Sequence, residues 1–186
     1  DDLEGRRIAA PGPAVNWLEG TGAVGVAGNL TTYYNDIQTG VFDGVIVFPT
    51  AAAPARLQEV APHITITNFG AQYAGSIVAN KSWFDAQSET VQDAMREGAR
   101  AFSAAYLEEQ AQRIEASMNA LAEGGGQVNE LSDEERVRWA NALPNVANAW
   151  AEDADGRGLP GSEVLDAYIA ALKAAGVDLP RDWSDR

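Results

Sequence analysis

The residues between Ser88 and Gly124 constrain this chain more than any others. Val91, Met95, Phe102, Tyr106, Ile114, Met118 and Leu121 recur there at helical spacing. Ser88 is placed to cap the start, and Gly124-Gly125-Gly126 ends the pattern. A helix from Glu89 to Glu123, ~35 residues, would be ~50 Å long. That exceeds the width of one small lobe, so the helix is expected to brace two bodies or to pack against several elements, with Phe102 and Ile114 on its covered face. Gly98 alone should not break it, since an interior glycine costs ~1 kcal/mol against the packing of a long apolar stripe.

Upstream the pattern alternates. Arg7 to Ala10 reads as a strand ended by Pro11-Gly12-Pro13, and Val15, Trp17 and Leu18 suggest a short helix that stops near Gly20-Thr21-Gly22. Val24 to Val26 is the next strand, and Asn29 or Thr31 is placed to cap a helix running through Tyr33, Tyr34 and Ile37 to a left-handed stop at Gly40. Asp43-Gly44 then turns the chain into Val45 to Phe48, a continuous apolar run expected to be a strand covered on both faces. The order β-α-β-α-β predicts an α/β lobe with parallel neighbours. Ala51 to Glu59 is expected to be helical, and His63 to Phe69 to alternate as a half-buried strand of the same sheet. A further extended run through Ser76 to Ala79 would make that sheet mixed. Beyond the glycines, Ser132-Asp133-Glu134-Glu135 is a capping-box pattern, Pro144 breaks its helix, Asn145 to Asp153 resumes, and a last helix capped by Ser162 runs from Glu163 to Ala175.

Composition narrows the function classes. The chain has 186 residues, 46% hydrophobic and 22% charged, and no apolar run approaches the length that crosses a bilayer. A net charge of -14 repels nucleic acid. Zero cysteines exclude disulfides and thiolate chemistry, and with His63 as the one histidine, transition-metal sites have almost no ligands. Asp1-Asp2-Leu3 has neither the basic nor the apolar region of an export signal.

Few residues point to chemistry. His63 follows Pro62 at a strand start with no nucleophile or carboxylate specified by spacing, so a structural or solvent-facing role is expected. Asp153 to Gly158 resembles part of a calcium loop without its twelve-residue ligand pattern and reads as a plain loop. Gly20-Thr21-Gly22 lacks the context of a phosphate cradle. Tyr33, Tyr34, Trp83, Phe84, Trp139 and Trp150 fit apolar faces and read as core. No catalytic residue, metal ligand or cofactor is assigned.

Several motifs taken together resemble the extracytoplasmic solute-binding subunits of TRAP transporters, the DctP type. Tyr34-x-x-Ile37-Gln38-Thr39-Gly40-x-x-Asp43-Gly44 resembles their Y-x-A-L-Q-T-G-x-V-D-G signature, and Leu3 to Ile8 their L-K-G-x-K-I/L strand. Gly22 to Val26 is similar to their G-A-x-P-V segment, Ile64 to Asn68 to I-T-x-T-N, and Asn80 to Phe84 to N-K-x-W-F. The likeness covers about residues 3 to 125 well and the rest loosely. It implies a periplasmic-binding-protein-like α/β lobe with a mixed sheet (residues 1–87), a long bracing helix (88–123) and C-terminal helices (124–186), the N-terminal lobe being absent. It implies a periplasmic protein, a monomer when complete, that performs no chemistry and delivers a small organic solute to the TRAP membrane subunits without inserting into the membrane.

The resemblance carries candidate ligand-lining residues at motif positions and strand ends: Ala9, Pro11, Gly12, Asn16, Leu30, Val47, Phe48 and Asn68. One departure stands out. The family commonly places an arginine where this chain has Ala9, and polar residues where it has Val45 to Phe48. Both changes predict a neutral or partly apolar solute, or an acid held differently. Two other classes compete: a hydrolase-like α/β enzyme using Asp43 or His63, and an interaction protein that presents an exposed stripe along Met95, Phe102 and Ile114.

Overall fold

Strand β1 (Arg7–Ala10) lies at the centre of a three-stranded parallel sheet, in a computed structural model that describes residues 2–70 and 76–184. A 3-10 segment, Gly12–Leu18, leads to β2 (Val24–Ala27), which pairs with β1 in the register Arg7 with Val24 and Ala10 with Ala27. Helix α1 (Tyr33–Gln38) ends where Gly40 takes φ +74°, and β3 (Gly44–Val45) returns to the other edge of β1. The turn between them is tied to the sheet. Arg7 donates its backbone N–H to the Asp43 carboxylate at 2.8 Å and its guanidinium to the Gly40 carbonyl at 2.8 Å. One buried cluster, Ala9, Tyr33 and Leu57, forms the core of this lobe, with Phe42, Val45 and Val47 packed against it.

Three expectations for this region need correction. Neither cap foreseen for α1 is used: Thr32 precedes the helix without a side-chain cap bond, and the Asn29 side chain closes a local turn on Thr31. The run Val45 to Phe48 is not a doubly covered strand. Ile46 still donates to the Ala9 carbonyl at 2.8 Å, but Phe48 turns into the cap of α2 (Pro49–Ala52) and is 47% exposed. Nor is 51–59 one helix. Pro54 follows α2, Arg56 adopts φ +53°, and a 3-10 turn, Leu57–Glu59, completes the segment.

Strand β4 (His63–Ile66) lies in a second sheet, not beside β1 to β3. After α3 (Lys81–Asp85) and α4 (Glu89–Glu123), its edge is taken by β5 (Gln127–Glu130), parallel, with His63 opposite Gln127 and Ile66 opposite Glu130. Gly126 makes this possible: a Cβ there would stand 2.6 Å from the Leu121 carbonyl oxygen and 2.8 Å from Ile64 Cδ1. Ser76 to Ala79 joins no strand, so among the described residues every pairing is parallel and the sheet is not mixed.

Helix α4 has the expected bounds, and the Ser88 hydroxyl accepts the Val91 N–H at 3.4 Å. Its stripe is not covered as expected. Leu121 is buried at 1% exposure and α2 packs on the helix, whereas Phe102 and Ile114 are 49% and 46% exposed. The C-terminal part comprises α5 (Asp133–Ala142), α6 (Val146–Gly156) and α7 (Gly161–Ala174). Ser162 is not the cap of α7 but sits in its first turn and donates its hydroxyl to Asp155 at 2.6 Å. Helices α6 and α7 share a small core of Ala151, Leu165 and Ile169, closed by Leu179 and Trp183. Helix α5 docks on the lobe: Gly20, at φ +74°, approaches so closely that a Cβ would lie 2.1 Å from the Ala142 carbonyl oxygen. Two of the aromatic residues assigned to cores, Trp83 and Trp150, are half-exposed at 53% and 49%.

Candidate functional site

Parallel pairing puts the carboxyl ends of β1, β2 and β3 on one edge of the sheet, which is where open α/β sheets receive ligands. Pro11 and Gly12 follow β1 there, both exposed, with Gly12 at φ +52°. Leu30 follows β2 and is 40% exposed; Phe48 follows β3. These four are brought to one edge. Asn16 is half-buried in the 3-10 segment, and Asn68 follows β4 in the other sheet, exposed and at φ +52°. The two asparagines are linked through their neighbours: Trp17 stacks on Phe69 with ring centroids 5.1 Å apart, and Phe69 meets Trp139 edge-on at 4.7 Å. The indole N–H of Trp139 donates to the Trp17 carbonyl at 2.6 Å, which fixes the arrangement.

Two candidate residues do not face this edge. Val47 packs half-buried into the lobe core, and Ala9 has no exposed surface, lying in the same cluster as Tyr33. The aromatic trio was missed as a unit because its members lie on three separate stretches of sequence. Nothing in their spacing brings them together.

Of the two residues the enzyme reading would use, Asp43 is engaged in the sheet. The Asp43 carboxylate accepts the Arg7 backbone N–H and faces the Arg7 guanidinium at 3.5 Å, and these contacts hold it below the usual carboxylate range. A carboxylate so stabilised is a poor base. His63 is exposed at the start of β4. Among the described residues no group of His, Asp and Glu is placed to hold a metal ion; Asp153 pairs with Arg157 and Asp155 receives Ser162. Among the described residues no helix is long and apolar enough to cross a membrane. Two shallow depressions, of about 260 and 280 Å³, lie away from the strand ends, one beside Lys173 and Asp182 and one beside Val15 and Gly20.

Comparison with known proteins agrees with this architecture. The C4-dicarboxylate-binding periplasmic protein DctP of Rhodobacter capsulatus is 31% identical over 161 residues, which are 85% of this chain and 44% of that protein. The ectoine-binding periplasmic protein TeaA of Halomonas elongata is 28% identical over 151 residues, 76% of this chain and 41% of its own. The solved structure of TeaA from the TeaABC TRAP transporter superposes with a TM-score of 0.75 at 23% identity, over 93% of this chain and 56% of that one. A TRAP periplasmic solute-binding protein from Sulfitobacter with bound β-D-galacturonate gives 0.69 at 18% identity, over 89% and 53%. The chain thus spans about half the length of the relatives it matches. The family model for bacterial extracellular solute-binding proteins, family 7, matches residues 1–153, and the chain belongs to that family, the DctP family of solute-binding transport proteins.

Proposed function

We propose that this chain works as one half of a TRAP-type solute-binding subunit, which captures a small organic solute in the periplasm and hands it to the membrane subunits without chemical change. The observation that carries this reading is the division of α4. Near its end Met118 and Leu121 turn towards the lobe, and Leu121 is buried; from its start to its middle Val91, Phe102 and Tyr106 are exposed. At about 100° per residue, the two groups lie on faces roughly a third of a turn apart. One helix presenting two faces to two bodies is a brace, and the second body corresponds to the length of the relatives that this chain does not span. The sheet edge carrying Pro11, Gly12, Leu30 and Phe48 would then be this half's wall of the cleft.

Among the described residues, the four named on that wall are apolar, and Arg7 is tied to Asp43 and Gly40 at the opposite end of β1. A buried carboxylate without a partner is strongly disfavoured, so the favoured solute is neutral or partly apolar, unless the second half supplies a charge. Calorimetry on the complete protein tests this with a matched pair, D-galactose and β-D-galacturonate, alongside ectoine and succinate. Tight binding of the acids, undiminished by Arg7→Ala, would place the charge in the other half and defeat the ligand part of the reading. A helix-mediated interaction protein is the second reading, favoured by the exposure of Phe102 and Tyr106. It requires that the complete protein leave this stripe uncovered, which hydrogen exchange along α4 decides.

A further inference from the structure

Asn68 holds a backbone conformation that few side chains accept. Its φ is +52°, and among the described residues Arg56 is the other non-glycine residue with positive φ. Asparagine tolerates the left-handed region better than most residues, but a single residue stays there only where its surroundings impose it. The residue that follows supplies the cause. Phe69 is half-buried, stacks on Trp17 with ring planes 21° apart, and meets Trp139 with planes at 68°. The two indoles are fastened to one another, since the Trp139 N–H donates to the Trp17 carbonyl at 2.6 Å.

Each indole is anchored in its turn. Trp17 belongs to the 3-10 segment after β1, and its neighbour Leu18 is buried. Trp139 lies in the last turn of α5, where Ala140 and Leu143 are buried and the Arg181 guanidinium donates to both of their carbonyls, at 3.2 and 2.5 Å. Gly20 closes on the same turn at Ala142. Phe69 is therefore gripped by a fixed corner, while Asn68 beside it stays exposed just past the carboxyl end of β4.

Exposed residues past the carboxyl ends of parallel strands are where α/β sheets meet ligands. An amide there offers a donor and an acceptor without charge. Resting on the solute-binding reading, we infer that Trp139 is a positioning residue of this site: acting through Phe69, it holds the Asn68 backbone left-handed and so keeps the Asn68 amide ready for an uncharged hydroxyl, carbonyl or amide group of the solute. Trp139 itself touches no solute. An Asn68 free to turn would have to be ordered at each binding event, which costs affinity.

The test is a double-mutant cycle in the complete protein. D-galactose, β-D-galacturonate, ectoine and succinate are offered, and whichever raises the melting temperature of the wild type is titrated calorimetrically against wild type, Asn68→Ala, Trp139→Leu and the double variant. Each single change should weaken binding about three- to tenfold, the worth of a neutral hydrogen bond. The double variant should bind within about twofold of Asn68→Ala, because Trp139 acts only through residue 68. Additive losses overturn the assignment, since a role confined to the fold would weaken binding with or without the Asn68 amide. Unchanged affinity in either single variant overturns it too and leaves the solute-binding reading intact. Should the leucine variant not fold, Trp139→Phe, which keeps a ring beside Phe69 and loses the bond to Trp17, takes its place in the cycle under the same criteria. If no probe stabilises the wild type, the solute-binding reading itself is contradicted and this assignment falls with it.

Discussion

The two ends of α4 are the same helix in different company. At the carboxyl end Leu121 is buried, Gly126 lets the chain turn within van der Waals reach of Ile64, and β5 docks at once on β4. In the amino-terminal half and at the middle, Val91, the stacked pair Phe102 and Tyr106, and Leu107 lie open to water. Helix propensity cannot account for the contrast, because alanine, glutamate and glutamine are plentiful along the whole length. What differs is tertiary cover. The exposed end keeps its shape from local bonds, such as the Ser88 cap and the Arg96 to Asp93 pair, and its apolar groups contribute only on meeting a second surface.

Four measurements would break or sharpen that contrast, beginning with the largest effect. Leu121→Ala should destabilise the chain by about 2–5 kcal/mol in urea unfolding, as a buried leucine truncated at a packed contact does. A loss under 1 kcal/mol would mean that the covered end is not anchored by packing. Ser132→Ala, at the start of α5, should cost about 1 kcal/mol through the bond to the Glu135 N–H at 3.2 Å. Phe102→Ala should cost no more than about 0.5 kcal/mol in this chain alone and clearly more in the complete protein. Equal costs in both would leave the exposed stripe without a partner.

The fourth measurement concerns acid. The folded-state pKa of Asp43 is depressed, so the stability it contributes is present above its unfolded value, about 3.9, and is lost as pH falls through the folded one. Acid titration of wild type against Asp43→Asn should show their difference shrinking below about pH 4. A difference that grows there would reverse the assignment. The effect is small because the carboxylate is solvent-screened, and it belongs to the sheet rather than to α4.

The sequence made α4 legible to the residue, because a capping serine, a sustained apolar period and a glycine stop all agree at Ser88, Phe102 and Gly124. Strands β1 and β2 were legible for a similar reason, and the family followed from the Gln38-Thr39-Gly40 and Asn80 to Phe84 wording. Strand β5 was not. Gln127-Val128-Asn129-Glu130 is exposed throughout, with no alternation to betray it, and it is a strand only because β4 offers an edge. Phe48 was misread because an apolar run cannot tell where a following proline will turn it into a helix cap. The packing of Tyr33 was invisible for a different reason: it depends on Gly28, just past β2, meeting Ala9 of β1, which are neighbours only after the sheet forms. Of the candidate residues, Pro11, Gly12, Leu30 and Phe48 lie after strands at one sheet edge, while Ala9 and Val47 belong to the core.

The pairing of His63 with Gln127 has a consequence for how the chain reaches this fold. The β1 to β3 sheet joins segments close in sequence, so it can condense early at little cost in loop closure. Strands β4 and β5 cannot meet until everything between them, including the ~50 Å helix, has been laid out. Loop closure therefore predicts that this sheet forms after the first. Until it closes, Ile64 and the edge of β4 are a sticky seam, and a chain released too soon would offer that seam to a neighbour.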